Sequence, residues 1–292
     1  MTDFLQLVAA GTATGGCYAL AALGFTLLWQ ASGTVNFALG EMIMLPAFIM
    51  LFAINSLGLP LPLAFVAAVV ATLLLTGYGF KRIVVDPLIR HGVIPLVIAT
   101  LGLSIGMKQV VRGVATAQVF TFPSLFTDSL ITFYGLRVSF ADIGTVVTAC
   151  AIVLALQAFL ARTVTGRAMQ AVAQNRDAAS VLGINVERMV LYAFLLNAAL
   201  AAVAALLITP IYLAKFDMGD TIGVKAFYAA IIGGFNNSRG ALVGGLIVGV
   251  LENLVGAYIS PGYKDGVALV LFMAVILFKP EGLLGRAEER KV

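Results

Sequence analysis

Long apolar runs, each about as long as a bilayer is thick, restrict the fold of this chain more than any other feature. A helix crosses a hydrocarbon layer roughly 30 Å thick with about 20 mainly apolar residues, because each helical residue rises about 1.5 Å. Such runs lie approximately at residues 4–29, 38–56, 61–80, 94–112, 141–161, 190–212, 222–235, 240–259 and 264–279. The pattern predicts an all-α, polytopic transmembrane helical bundle of about eight or nine spans. We expect one membrane domain over residues 1–292.

Composition and the reactive residues exclude several classes of function. Hydrophobic residues make up 61% of the chain and charged residues 11%, against roughly 45–50% and about 25% in soluble domains. The pattern G-x-x-x-x-G-K-[ST], which cradles nucleotide phosphates, does not occur. The single histidine and the separated Cys17 and Cys150 lack metal-ligand spacing. Basic residues are scattered, so nucleic acid is not expected as a partner. We predict no catalytic residue, no metal site and no bound cofactor.

Two of the apolar runs are irregular. The run that begins near Lys225 is short, which is typical of a re-entrant or tilted piece. The second span follows the polar stretch Gly33-Thr34-Val35-Asn36, and Glu41 and Pro46 interrupt it. Broken backbone at membrane depth is tolerated only where protein or a wet cavity receives its polar groups. The sequence therefore predicts a broken or re-entrant segment beside a pathway.

The distribution of lysine and arginine predicts an orientation. Basic residues accumulate in cytoplasmic loops, and a chain that starts outside places the larger basic set on the cytoplasmic side. Residues 162–189 and the C-terminus are then cytoplasmic, whereas residues 113–139 and 213–221 lie outside. We expect an N-terminus outside and a cytoplasmic C-terminus.

Glycines recur at helix-packing spacing, which indicates a tightly packed bundle. Small residues four apart let helices approach closely in lipid, and they occur at Gly11/Gly15, Gly102/Gly106, Gly240/Gly244 and Gly245/Gly249. Residues 101–113 resemble residues 245–256 as glycine-led spans, which suggests an internal repeat of the kind that builds many transporters. Shared apolar composition is the alternative explanation.

Four polar side chains inside the spans are candidate pathway residues. Ionisable and amide groups are costly in lipid, so they face a bundle interior or a cavity. Carboxylate and amide oxygens there suit the ammonium of a zwitterionic solute, and the candidates are Asn36, Glu41, Glu252 and Asn253. The alternative is structural: Glu41 or Glu252 pairs with Lys225 or Lys108 and holds helices together.

The segment at about residues 163–185 is polar enough to lie outside the bilayer. In a helical conformation it gathers small and apolar side chains on one face, namely Ala168, Ala171, Val172, Ala179 and Leu182. A helix with such a face is suited to a groove in another protein. An ordinary interfacial helix at the lipid headgroups is the alternative.

This segment also carries a family resemblance. Asp177-Ala178-Ala179 followed by Gly183 resembles the EAA-x-x-x-G pattern of ABC-importer permeases, with aspartate in place of glutamate. Its surroundings are similar to the version in branched-chain amino acid permeases. Further agreement comes from the stretches Tyr18–Gly24 with Gly33–Glu41, Gly233-Gly234 with Gly240–Gly245, and Phe278–Gly285. The resemblance runs nearly end to end, and the chain length is similar to the LivH-type subunit.

The resemblance implies a role and a set of partners. A permease of this type forms half of a pore in a bacterial cytoplasmic (inner) membrane, with a LivM-type second permease, two ATP-binding subunits that use ATP, and an extracytoplasmic substrate-binding protein. It implies coupling to the ATPases through Gly166, Arg167, Ala171, Asn175, Asp177, Ala178, Ala179 and Gly183. The expected cargo is a branched-chain or related amino acid, while relatives that carry urea, amides or aromatic acids leave the substrate open. A secondary transporter or channel for a small polar solute is the alternative function.

Overall fold

Helices account for most of the fold in the computed structural model, which describes residues 2–33, 35–88, 91–115, 118–126, 129–133, 136–235 and 237–285. In chain order the helices are α1 (Thr2–Ser32), α2 (Leu39–Asn55), α3 (Leu61–Thr72), α4 (Asp86–Leu88), α5 (Val93–Ala115), α6 (Phe140–Arg162), α7 (Val164–Gln174), α8 (Arg176–Val181), α9 (Val186–Tyr212), α10 (Met218–Gly233), α11 (Ser238–Tyr258) and α12 (Lys264–Phe278). Two π-helical stretches, Leu73–Gly79 and Lys81–Val85, continue α3 towards α4. A short antiparallel hairpin of β1 (Leu130–Phe133) and β2 (Leu136–Ser139) precedes α6.

The predicted polytopic helical bundle is confirmed. Seven helical stretches of the described chain are long and apolar enough to cross a membrane: Asp3–Ser32, Leu61–Leu88, Ile94–Ala115, Phe140–Arg162, Val186–Tyr212, Ser238–Tyr258 and Pro261–Phe278. The apolar helix α2 has 17 residues and α10 has 16. The β-hairpin lies within residues 113–139, between two of the predicted spans.

The break in the second span lies earlier than Glu41 and Pro46 suggest. Helix α2 runs without interruption through both residues. Helix α1 ends where Gly33 adopts a positive φ of 64°, and the Asn36 side-chain oxygen accepts a hydrogen bond from the backbone N–H of Ala38 at 3.0 Å. Such local side-chain hydrogen bonds compete with helix and favour a turn. The non-helical backbone is therefore at residues 35–38, directly before α2.

The short seventh run also differs from the prediction. The structure extends its helix towards the N-terminus, so that α10 begins at Met218 rather than near residue 222. The described residues 213–217 before it are not helical, and Leu213 has a positive φ of 62°. Helices α2 and α10 are thus both short helices that follow non-helical backbone.

Contacts within the chain define two compact units. The first contains residues 1–26, 126–151 and 224–292, and the second contains residues 27–125 and 152–223. In the first unit glycines bring α1 close to α11: a Cβ on Gly11 would lie 2.7 Å from the Val250 Cα, and one on Gly15 would lie 2.8 Å from the Leu246 Cα. The glycine pairs of α1 and α11 therefore serve helix packing, as predicted.

In the second unit α2 packs against α3, α5 and α9. The phenyl rings of Phe80 and Phe194 lie 5.9 Å apart in an apolar cluster that also contains Leu28, Met42 and Leu96. The predicted packing pair on α5 differs from the others. A Cβ on Gly102 or Gly106 would meet no described atom within 4 Å.

Candidate functional site

The N-terminal turns of α2 and α10 cross at three glycines of the second unit, Gly40, Gly219 and Gly223. A Cβ on Gly40 would lie 2.5 Å from the carbonyl oxygen of Gly219, and one on Gly223 would lie 2.5 Å from the Gly40 Cα. The obstructing atoms are backbone, which cannot rotate away as a side chain can. Only glycine allows this approach, and it holds the beginnings of two short helices together.

Predicted pathway residues Asn36 and Glu41 lie beside this crossing, and both are buried. The Asn36 amide nitrogen lies 3.3 Å from the Met42 sulfur, so both ends of the side chain contact the start of α2. The Glu41 carboxyl lies within hydrogen-bonding distance of the side chains of Asp220 and Ser104. Asn36 therefore stabilises the turn, whereas Glu41 belongs to a polar cluster contributed by three helices.

An ion pair of Lys108 with Asp220 completes the cluster. The Lys108 side chain is 27% exposed and the Asp220 side chain 48% exposed. Ser104 and Asp220 were not among the predicted site residues, and Lys108 was considered only as a partner of Glu41 or Glu252. A signal for Asp220 is present in the sequence: Phe37-Ala38-Leu39-Gly40-Glu41 and Phe216-Asp217-Met218-Gly219-Asp220 share the pattern F-x-[LM]-G-[DE].

The other predicted pathway residues, Glu252 and Asn253, lie in the first unit. The Lys225 ammonium lies 2.8 Å from a Glu252 carboxylate oxygen, and the Tyr18 hydroxyl donates to the other oxygen at 2.8 Å. Lys225 also lies 2.8 Å from Asp265. This confirms the alternative in which Glu252 pairs with Lys225. The Asn253 amide donates to the carbonyl oxygen of Gly249 on its own helix.

The predicted coupling segment consists of two short helices instead of one. Asn175 separates α7 from α8, because its side-chain oxygen accepts a hydrogen bond from the backbone N–H of Ala178 at 2.9 Å and caps α8. The predicted common face does not form as a unit: Val172 and Ala179 are buried, whereas Leu182 is 79% exposed. Because the helix is interrupted at Asn175, the side chains of α8 do not continue the angular spacing of those on α7.

The remaining coupling residues divide into buried and exposed sets. Gly166 is buried, and a Cβ there would lie 2.6 Å from the Leu160 Cα. Ala171 is half-buried. The exposed members are Arg167, Asn175, Asp177, Ala178 and Gly183, of which Gly183 ends α8 with a positive φ of 81°. Gly166 and Ala179 therefore pack against the rest of the second unit, while the exposed set lies on the surface of this chain.

Arg176 joins this segment to the end of α1. Its guanidinium donates a hydrogen bond to the carbonyl oxygen of Ala31, one of the carbonyls that a helix C-terminus leaves without an intrahelical partner. Burial lowers the pKa of Arg176, although a guanidinium stays protonated in proteins. A cation there also interacts favourably with the helix dipole. The segment therefore contacts the helix end that leads into the non-helical residues 35–38.

Comparison with known proteins gives a nearly full-length match. A family model described as "Branched-chain amino acid transport system / permease component" matches residues 7–276. The high-affinity branched-chain amino acid transport system permease protein BraD of Pseudomonas aeruginosa is 35% identical, over 99% of this chain and 98% of the relative. The permease protein LivH of Escherichia coli is also 35% identical, with the same coverage.

One solved structure is similar in fold. PsaBC from Streptococcus pneumoniae in complex with Fab matches with a TM-score of 0.50 and 18% identity. The match covers 95% of this chain and 92% of the PsaBC chain. At this identity the likeness concerns the fold alone.

Proposed function

The chain belongs to the family of branched-chain amino acid transport permeases, and on this premise we propose that it forms half of the pore of an ATP-driven importer. The second permease is LivM-type, two ATP-binding subunits hydrolyse ATP, and an extracytoplasmic binding protein delivers the solute. This chain is a non-catalytic, multi-pass subunit of the bacterial inner membrane, with its N-terminus outside and its C-terminus cytoplasmic. The observation that carries the proposal is the 35% identity with BraD over almost the full length of both chains.

The pathway is assigned to the cluster around the crossing of α2 and α10. Glu41 is buried there, beside Asp220 and Ser104, and Asn36 fixes the turn that precedes it. Intramembrane carboxylates of this kind suit the ammonium group of an amino acid. The contacts of Glu252 and Asn253 favour a structural role. Their role in the pathway stays a prediction.

Coupling to the ATPases is assigned to α7 and α8. The exposed residues Asp177 and Ala178 contact the ATP-binding subunit, and Ala179 holds α8 against this chain. Movement of α8 reaches the pathway through Arg176, because its guanidinium bonds to the last turn of α1. The non-helical residues that follow α1 then transmit the movement to Glu41 on α2.

Uptake by proteoliposomes that contain the complete importer tests the function. We expect uptake of leucine, isoleucine or valine that requires both ATP inside and the binding protein outside. Urea, amides and phenylalanine serve as competing solutes and define the substrate. Uptake that follows a sodium or proton gradient without ATP would instead establish a secondary transporter.

An arginine at the exposed position 178 is expected to weaken coupling. The change A178R places a charge in the contact with the ATP-binding subunit, and an imperfectly paired charge there costs about 1.4 kcal/mol, or about tenfold in affinity. We expect about tenfold less ATP-binding subunit to co-purify, with a similar fall in ATP-driven uptake.

The matched control is A257R, at an exposed alanine near the end of α11. It introduces the same side chain on the side of the membrane away from the ATPases in the proposed orientation. Equal co-purification of the ATP-binding subunit with A178R and A257R would contradict the docking assignment.

A further inference from the structure

Helix α5 carries a row of polar side chains on one face. Thr100, Ser104, Lys108 and Arg112 are spaced by four residues, so consecutive members lie about 6 Å apart along the axis and are rotated by only about 40°. Between them are exposed apolar residues of the same helix, such as Leu101 and Ile105. A single helix thus has a polar row and a lipid-compatible face.

Every member of the row contacts one of the two non-helical segments or the helix that follows. The backbone N–H of Phe37 lies 3.4 Å from the Thr100 hydroxyl. Ser104 is within hydrogen-bonding distance of Glu41, and Lys108 pairs with Asp220. The Arg112 guanidinium carbon lies 5.4 Å from the centre of the Phe216 ring.

The order of these partners reveals an inverted symmetry. Along α5 the partners are Phe37, Glu41, Asp220 and Phe216. The two F-x-[LM]-G-[DE] segments therefore run in opposite directions along the row, with the acidic residues in the middle and the phenylalanines at the ends. Inverted repeats with short helices that begin at the midplane are typical of transporter binding sites.

The row lies at the depth of the hydrocarbon layer. Helix α5 has 23 residues and is about 34 Å long, and Ser104 is its central residue. Lys108 lies only about 6 Å from that centre along the axis. Charged side chains at such depth face a water-filled cavity or the bundle interior. Because the Lys108 and Asp220 side chains are 27% and 48% exposed in this chain, we expect their open side to face water.

We propose that the polar row on α5, together with Glu41 and Asp220, lines an aqueous half-channel that binds a zwitterionic solute. The carboxylates of Glu41 and Asp220 receive the ammonium group, while Lys108 and Arg112 receive the carboxylate. The proposal rests on the function as a permease and names the site and the solute class within it. Thr100, which is buried, and Ser104, which is half-buried, supply hydroxyl groups at one end of the row.

Cysteine accessibility in the complete importer tests the row directly. In a C17A/C150A background, S104C and I105C place neighbouring thiols at the same depth on different faces of α5. The probe is a membrane-impermeant, cationic methanethiosulfonate reagent. We expect S104C to react at least about tenfold faster than I105C, because a thiol in lipid rarely ionises and the thiolate is the nucleophile.

The S104C change is nearly isosteric, so it preserves the fold on which the comparison depends. Equal labelling rates for S104C and I105C in an importer that transports would overturn the proposal. Labelling is independent of the energy source. If S104C is labelled faster than I105C but uptake needs no ATP, the proposed function is rejected and the half-channel proposal is retained.

A charge exchange separates a binding role from a purely structural ion pair. The double variant K108D/D220K retains the pair but reverses it. We expect it to recover the thermal stability that K108D alone loses. Uptake should remain at least about tenfold below the wild type, since the solute meets reversed charges. Recovery of both stability and uptake would overturn the proposal.

Discussion

Replacing Lys225 by methionine is expected to lower the free energy of unfolding by about 3–5 kcal/mol, the typical cost of leaving a buried charge without its partner. The Lys225 and Glu252 side chains are 4% and 3% exposed, and their charged atoms lie 2.8 Å apart. After K225M the buried Glu252 carboxylate loses its ammonium partner and keeps only the Tyr18 hydroxyl among the contacts described above. Thermal unfolding of the purified chain in detergent measures the loss.

Two controls identify the cause of this loss. The double variant K225M/E252Q removes both charges and should recover most of the stability, because replacing a whole buried pair is often nearly neutral. The variant K215M removes a lysine that lies 3.6 Å from Asp217, in a pair whose side chains are 36% and 44% exposed. We therefore expect the free energy of unfolding to change by less than about 1 kcal/mol. An unfolding temperature unchanged by K225M would contradict the structural role of the pair.

Adding one methyl group at Gly219 is expected to cost about 3 kcal/mol, near the upper end for overpacking. In G219A the new Cβ would clash with the carbonyl group of Gly40. Since both obstructing elements are helix backbone, α2 and α10 must move apart, and the contact of Glu41 with Asp220 is lost with them. We expect both a lower unfolding temperature and a loss of uptake.

The matched control is G106A on α5, where a Cβ would meet no described atom within 4 Å. Alanine has a higher helix propensity than glycine, by about 1 kcal/mol, so G106A should be neutral or stabilising in the isolated chain. Should G219A unfold at the same temperature as G106A and retain uptake, the crossing would have no structural importance.

The clusters around Glu41 and Glu252 show how far the sequence predicted the candidate site. It identified Glu41 and Glu252 as exceptional, because a carboxylate in an apolar run is costly wherever the run lies. It left open which lysine pairs with which acid. The structure pairs Lys225 with Glu252 and Lys108 with Asp220. The two members of the first pair are 27 positions apart in the chain, and those of the second pair are 112 positions apart. No local sequence pattern specifies such a contact.

The coupling segment shows the same division on a smaller scale. Its polarity predicted a position outside the bilayer, and the resemblance of Asp177-Ala178-Ala179 predicted a coupling role. The periodicity assumed one continuous helix. The Asn175 cap ends one helix and begins another, so the positions of Ala179 and Leu182 depend on the turn between the helices. Helical periodicity predicts a common face only as far as the helix continues.

The sequence by itself determined that this chain is a polytopic helical membrane protein. The transfer of each apolar run into lipid is a local property that adds up residue by residue and needs no tertiary partner. Only the tertiary structure decided where α2 and α10 begin, which glycines are in contact, and which charged side chains pair with each other. Those features depend on close contacts between distant segments, where a single methyl group or an unpaired charge changes the energy by several kcal/mol.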